Sequence, residues 1–120
     1  ISYDPAGHVW VATNKGLNRF DKVKDQFKRY LDDIRVFSVY IDKESVVWAA
    51  TRNGLAKYNA SSDKFELIET TGTFGPTSKI MFGMIDDRDG NLMIGTVDGI
   101  NVFNKKSRQF YHFNKNTSKY

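Results

Sequence analysis

Short apolar runs, each closed by turn-forming residues, recur along the whole chain. Val9-Trp10-Val11-Ala12, Val46-Val47-Trp48-Ala49-Ala50 and Leu92-Met93-Ile94-Gly95 are apolar at every position. The segments after the first of them turn polar, with Asn18 and Arg19, then Gln26, Lys28 and Arg29. Nowhere does the 3.6-residue apolar period of an amphipathic helix appear. Runs this short, bounded by Gly, Asn and Asp, predict strands. A strand that packs one face on a core and turns the other to water alternates apolar and polar residues. The apolar runs do not alternate, so both of their faces must be covered by protein.

The pattern repeats three times. Asp4-Pro-Ala-Gly7-His-Val-Trp10-Val-Ala-Thr13-Asn-Lys-Gly16-Leu17 is followed by Phe20, Asp21 and Phe27. Asp42-Lys-Glu-Ser45-Val-Val-Trp48-Ala-Ala-Thr51-Arg-Asn-Gly54-Leu55 is followed at the same offsets by Tyr58, Asn59 and Phe65. Asp87-Arg-Asp-Gly90-Asn-Leu-Met93-Ile-Gly-Thr96-Val-Asp-Gly99-Ile100 is followed by Phe103, Asn104 and Phe110. Thr13 and Thr51 lie 38 residues apart, Thr51 and Thr96 lie 45 apart, and the difference falls in the Thr70–Lys79 connection. A period near 40 with four short strands per unit is the signature of a propeller blade. The fold class is therefore all-β: a β-propeller fragment of three tandem four-stranded antiparallel blades.

In the second unit, strand A is expected over Val36–Asp42, B over Val46–Thr51, C over Leu55–Asn59 and D over Lys64–Glu69. The blades divide as residues 1–30 (inner strand incomplete), 31–69 and 70–114, with 115–120 a tail leading toward a further blade. Ile1–Asp4 read as the end of a strand, so a longer parent chain is expected. Asn53-Gly54 and Asp98-Gly99 predict tight B–C hairpins whose two central residues both take positive φ. Asp21, Asn59 and Asn104 open the C–D turns, where their side chains can close Asx-turns. Lysine and arginine on strand D suit an outer edge protected from further pairing.

The motif Asp-x-x-Gly-x-[Leu/Val]-Trp-[Ile/Val]-[Gly/Ala]-Thr-x-x-Gly-Leu-x-x-[Phe/Tyr]-[Asp/Asn] resembles the two-component regulator propeller repeat, and the match covers nearly the whole chain. Ser45 replaces the usual glycine and Met93 the usual tryptophan. The resemblance implies a sensor region: tandem propellers on the periplasmic side of the inner membrane, joined in the parent chain to a membrane helix and a histidine kinase. It implies recognition without catalysis, with an oligosaccharide as ligand. A segment of a propeller lyase with its catalytic residues in other blades, or a protein-interaction scaffold, are the alternatives.

Composition adds little to this picture. The 120 residues carry a formal charge of +4, with 14% aromatic and 27% charged residues, which fits a folded domain and neither a disordered tail nor a membrane segment. Basic and acidic residues are interspersed, as on a solvated rim, and no nucleic-acid partner is expected. With no cysteine there is neither a disulfide framework nor a thiolate metal site.

Catalytic and metal-binding constellations are not expected, and no cofactor is. His8 and His112 belong to different blades. Asp32-Asp33 are neighbours in a loop and cannot flank a common substrate as acid–base carboxylates do. Asp87-Arg88-Asp89-Gly90-Asn91 has its glycine too early for an EF-hand and reads as a plain A–B turn. Trp10 and Trp48, inside apolar strands, are expected to pack between blades.

In a propeller the B–C and D–A loops share one face. The candidate ligand-binding residues there are Asn14, Lys15, Arg52, Asn53, Phe74 and Asp98, a set of amides, charges and one aromatic that suits a sugar or uronic acid. The two end blades are expected to expose apolar residues such as Val11, Phe82 and Met84, and to meet other blades of the parent chain or a second copy. Two copies closing head to tail would form a six-bladed ring.

Overall fold

Each repeat folds into one antiparallel sheet in a computed structural model that describes residues 1–69 and 75–113. The first blade holds β1 (Ser2–Tyr3), β2 (Val9–Thr13), β3 (Gly16–Asp21) and β4 (Gln26–Tyr30). The second holds β5 (Val36–Ile41), β6 (Val47–Thr51), β7 (Gly54–Asn59) and β8 (Lys64–Leu67). The third holds β9 (Met81–Asp86), β10 (Leu92–Thr96), β11 (Gly99–Asn104) and β12 (Gln109–Phe113). Within each sheet the strands lie in sequence order, and the described residues include no helix. The inner strands meet: β5 lies against β1 on one side and β9 on the other. In the first two blades the outermost strands, β4 and β8, are mostly exposed.

Two hydrophobic cores fill the two gaps between blades. Trp10, Leu17 and Tyr30 of the first blade join Val36, Val39, Val47 and Ala49 of the second. Trp48, Ala50 and Leu55 of the second join Met84, Leu92, Ile94, Phe103 and Phe110 of the third. This is why strand B is apolar on both faces: β6 is buried at all of its positions.

Every blade therefore has a forward face toward the next blade and a backward face toward the previous one. The forward row of the first blade is Ser2, Trp10, Arg19 and Lys28, which pair in register across its four strands. Trp10 inserts against Tyr58 and Phe65 on the backward face of the second blade, at ring distances of 5.2 and 5.7 Å. Trp48 inserts in the same way against Phe103 of the third blade at 5.7 Å. The tryptophans pack between blades as expected.

The B–C hairpins differ from expectation. Thr13, Thr51 and Thr96 pair with Gly16, Gly54 and Gly99, so the two loop residues are Asn14-Lys15, Arg52-Asn53 and Val97-Asp98. The positive φ falls on the glycine alone, at 138°, 115° and 111°. Threonine explains the shift. Its hydroxyl donates to the glycine carbonyl at 2.7–2.8 Å and accepts the N–H two residues on, that of Lys15, Asn53 or Asp98. A side chain closes this turn, so the loop residues need no left-handed backbone.

The Asx-turns form as expected. The Oδ1 of Asp21, Asn59 and Asn104 accepts the N–H groups of the second and third residues after it in each C–D turn, Val23 and Lys24, Ser61 and Ser62, and Lys106 and Ser107. The expected end-face residues are partly reassigned. Met84 is buried in the core between the second and third blades. Phe82, beside the bulge where β9 meets Gly95 and Thr96, is half exposed and meets Phe37 of the second blade at 5.0 Å.

Candidate functional site

The B–C loops and the D–A connections form a tied platform. The Asp33 N–H donates to the Lys15 carbonyl at 3.1 Å, Arg52 N–H to Arg35 at 2.9 Å and Val97 N–H to Ile80 at 3.2 Å. Each bond links a B–C loop to a D–A connection, so the loops of all three blades share one end of the molecule. Asn14, Lys15, Arg52, Asn53 and Asp98 are exposed there. Phe74 lies outside the described residues. Arg35, which sequence reasoning did not single out, adds a cation, with its guanidinium 4.8 Å from the Phe37 ring.

Buried polar groups brace the platform from beneath. Asn101 is fully buried; its Oδ1 accepts the Thr77 N–H at 2.9 Å and its Nδ2 donates to Thr77 Oγ1 at 2.8 Å. The Thr77 hydroxyl in turn meets Thr96 Oγ1 at 3.2 Å. Thr77, just ahead of the third blade's first strand, is thereby pinned to the threonine turn of that blade. No sequence signal marked Asn101, because an asparagine on strand C resembles the polar residues of that strand in other blades.

The opposite end, made of A–B and C–D turns, carries the larger electrostatic cluster. Lys105 Nζ lies 2.8 Å from Asp42 Oδ2 and 3.2 Å from Asp86 Oδ1, joining the second and third blades. The Tyr40 hydroxyl donates to Asp86 Oδ2 at 2.8 Å, and Trp48 Nε1 donates to Asp42 Oδ2 at 2.8 Å. A cavity of about 470 Å³ opens beside this cluster, lined by Trp48, Lys57, Asn91, Lys105 and Lys106 among others. Burial alone would push the Lys105 ammonium down, but the Asp42 and Asp86 carboxylates outweigh it and raise its pKa. Burial would likewise raise the Asp42 carboxyl, yet hydrogen bonds from Lys105 and Trp48 hold it below the usual carboxylate range.

A second cluster joins the first and second blades. Asp63 accepts from the Tyr30 hydroxyl at 2.7 Å, from the Tyr58 hydroxyl at 2.6 Å and from the Lys28 ammonium. Against its own desolvation, these partners hold the Asp63 carboxyl far below the usual range. Burial and the hydrogen bond to Asp63 push both tyrosines up, so they stay protonated donors. The equivalent positions between the second and third blades carry Glu66 and Arg108, which line a common cleft of about 300 Å³. The charges are thus exchanged from one junction to the next.

These shifts all move away from neutrality. An efficient proton-transfer group has its pKa near the working pH, and these carboxylates and tyrosines have been moved the other way. Their chemistry is to lock blades together. His8 Nδ1 lies 3.1 Å from Asp4 Oδ2, while His112 Nε2 lies 3.3 Å from the Gly75 carbonyl in another blade. One oxygen of the Asp87 carboxylate holds its own turn, where Oδ1 accepts the N–H groups of Asp89 and Asn91, while Oδ2 is buried with no hydrogen-bond partner among the described residues. Asp32 faces Arg29 at 3.8 Å in an exposed pair.

Sheets of four antiparallel strands, stacked face to face with their first strands innermost, define three blades of a β-propeller. The chain is similar to the extracellular domain of a hybrid two-component system from B. thetaiotaomicron, with a TM-score of 0.83 and 25% identity over 98% of this chain. It is also similar to the extracellular domain of a one-component system from the same organism, with a TM-score of 0.75 and 25% identity over 89% of this chain. The chain spans 18% and 16% of those two proteins. Virginiamycin B lyase from Staphylococcus aureus shares the fold, at a TM-score of 0.66 and 15% identity over 94% of this chain and 39% of the lyase. No family model matches the chain, and no curated protein matches it significantly in sequence.

Proposed function

We propose that this chain is a non-catalytic segment of the sensory propeller of a bacterial two-component regulator, held on the periplasmic side by a parent anchored in the inner membrane. The observation that carries the reading is the similarity, over nearly the whole chain, to the extracellular domain of a hybrid two-component system, with that of a one-component system beside it.

The ligand we propose is an oligosaccharide, bound at the platform of Asn14, Lys15, Arg52, Asn53 and Asp98. Exposed amides and guanidinium groups offer the fixed donors that hydroxyls and uronic-acid carboxylates require. The test is titration calorimetry of the chain against neutral and acidic oligosaccharides, repeated with Lys15, Arg52 and Asn53 together changed to alanine. Binding that weakens at least ten-fold while the melting temperature is kept supports the platform. An unchanged affinity moves the ligand elsewhere, and turnover of the sugar favours the lyase reading.

A further inference from the structure

The two junctions inside the chain follow one plan and differ in where the negative charge sits. Arg19 and Lys28, paired across β3 and β4 on the forward face of the first blade, have Lys57 and Glu66 as counterparts across β7 and β8 of the second. The residue that meets them comes from the C–D turn of the following blade. It is Asp63 at the first junction and Arg108 at the second. Both hold the same place in their turns, with φ of 54° and 59°.

At the first junction the Asp63 carboxylate is the hub. Arg19 lies 3.6 Å from it, and Lys28, Tyr30 and Tyr58 bond to it. At the second junction Ile68 and Phe103 stand in place of the two tyrosines, and the carboxylate is missing. Among the described residues, the ammonium groups of Lys57 and Lys106 and the guanidinium of Arg108 pair with no carboxylate. Glu66 lines the cleft with Lys57 and Arg108, but its Oε1 accepts from Asn59 Nδ2 at 3.3 Å. Lys57 is half-buried, with its ammonium 5.6 Å from the Trp48 ring. The second junction therefore holds a cation in place without the partner that Arg19 has.

Lys57 is also the shared wall of two cavities. One, of about 300 Å³, extends to Arg108, and the other, of about 470 Å³, extends to Asn91, Asn104 and Lys106. The larger one is lined by donors, the Asn91 and Asn104 amides and the Lys106 ammonium, and by the acceptors Glu44 and Asp89. A hydroxyl group both donates and accepts, so this mixed lining suits a molecule with several hydroxyls. A guanidinium beside an ammonium suits a carboxylate. Both cavities lie between two blades of this chain, at the end opposite the B–C platform.

We infer that the second junction binds a polyhydroxylated carboxylate, with its carboxylate between Lys57 and Arg108 and its hydroxyls reaching toward Asn91, Asn104 and Lys106. The ligand supplies there the carboxylate that Asp63 supplies at the first junction, and it bridges the second and third blades. The site is separate from the platform and does not depend on it.

Titration calorimetry of the protein with D-glucuronate, D-glucose, acetate and inorganic sulfate tests this, with thermal melts beside it. Glucuronate should bind and raise the melting temperature. Glucose lacks the charge and acetate lacks the hydroxyls, so each should bind at least about ten-fold more weakly, the value of one charge-assisted hydrogen bond. Lys57→Gln should weaken glucuronate binding by a similar factor. Glu66→Lys combined with Arg108→Asp rebuilds the charges of the first junction and leaves the net charge as it was. That double variant should melt no lower than the parent and lose its response to glucuronate, because its own carboxylate fills the site. Changing Lys15, Arg52 and Asn53 together to alanine should leave this binding unaltered. No binding of glucuronate overturns the inference, as does glucose or sulfate binding equally well. Parent-like affinity in Lys57→Gln or in the double variant also overturns it. Loss of binding in the triple variant would put the ligand on the platform and overturn it too.

Discussion

Trp48 Nε1 donates to Asp42 Oδ2 at 2.8 Å, bridging the A–B turn to the strand that follows it. Trp10 and Asp4 repeat this bond at 2.8 Å. One carboxylate thus ties down two things at once: Oδ1 holds the turn amides, and Oδ2 fixes the rotamer of the side chain that plugs the next blade. Met93→Trp should restore the missing bond to Asp87 Oδ2. Satisfying a buried charged acceptor should raise the unfolding free energy by about 1–2 kcal/mol. Urea unfolding of the variant checks this, and no gain would mean that the third A–B turn holds its carboxylate differently.

Ser45 sits where the other repeats place glycine and takes φ of 66°, beside 87° for Gly7 and 80° for Gly90. A residue with a Cβ carries a penalty in this left-handed region. Ser45→Gly should therefore stabilise the chain by about 1 kcal/mol, less the extra entropy of a glycine in the unfolded state. Thermal melts of the two proteins measure it; a lower midpoint in the variant contradicts the strain.

Gly16 and Gly54 share a turn type but not a neighbourhood. A Cβ on Gly16 would lie 2.9 Å from the Tyr30 carbonyl oxygen, while one on Gly54 would meet nothing within 4 Å. Both alanine variants carry backbone strain of about 1–2 kcal/mol. Gly16→Ala should lose more than Gly54→Ala in denaturant unfolding, since the main chain at Tyr30 must also move. Equal losses would show that β4 yields without penalty.

Lys105→Met removes the cation between two buried carboxylates and should destabilise the chain by about 3 kcal/mol. The pH dependence has a definite sign. Asp42 and Asp63 have lowered pKa values in the folded chain. The unfolded state therefore binds protons first as the pH falls. Their contribution is complete above the ordinary carboxylate value of about 4 and is lost as the pH falls through the folded values. Lys105 has a raised pKa, so its contribution is complete below the ordinary ammonium value of about 10.4 and is lost at higher pH. Without Lys105 the folded pKa of Asp42 rises, so the acid limb of a melting-temperature profile should begin at higher pH. Superimposable acid limbs would refute the pairing.

The architecture was legible because repetition amplifies a weak signal. Thr13, Thr51 and Thr96 in register, with apolar strand B beside each, define the blades without any long-range information. Trp10 and Trp48 were placed correctly for the same reason. The turn chemistry was misread at Asn53-Gly54 and Asp98-Gly99, where the threonine hydroxyl moves the loop by one residue. Met84 was misplaced because strand A alternates between two faces, and sequence alone does not show which alternate belongs to which neighbour. The contacts of Lys105 with Asp42 and of Lys28 with Asp63 span 63 and 35 residues. Such pairs follow from how one blade is rotated against the next, which no local pattern encodes. That Asn14, Lys15, Arg52, Asn53 and Asp98 lie together at one end was legible because topology alone puts their loops there.

The exchanged charges at the two junctions make the blades non-interchangeable. Lys28 meets Asp63 at one junction, whereas Glu66 lies near Arg108 at the next. Transposing the second and third blades would set Lys28 beside Arg108, cation against cation. Each junction thus favours one neighbour, and units of the same fold are kept in a fixed order along the chain. A designer shuffling these blades would have to move the charges with them.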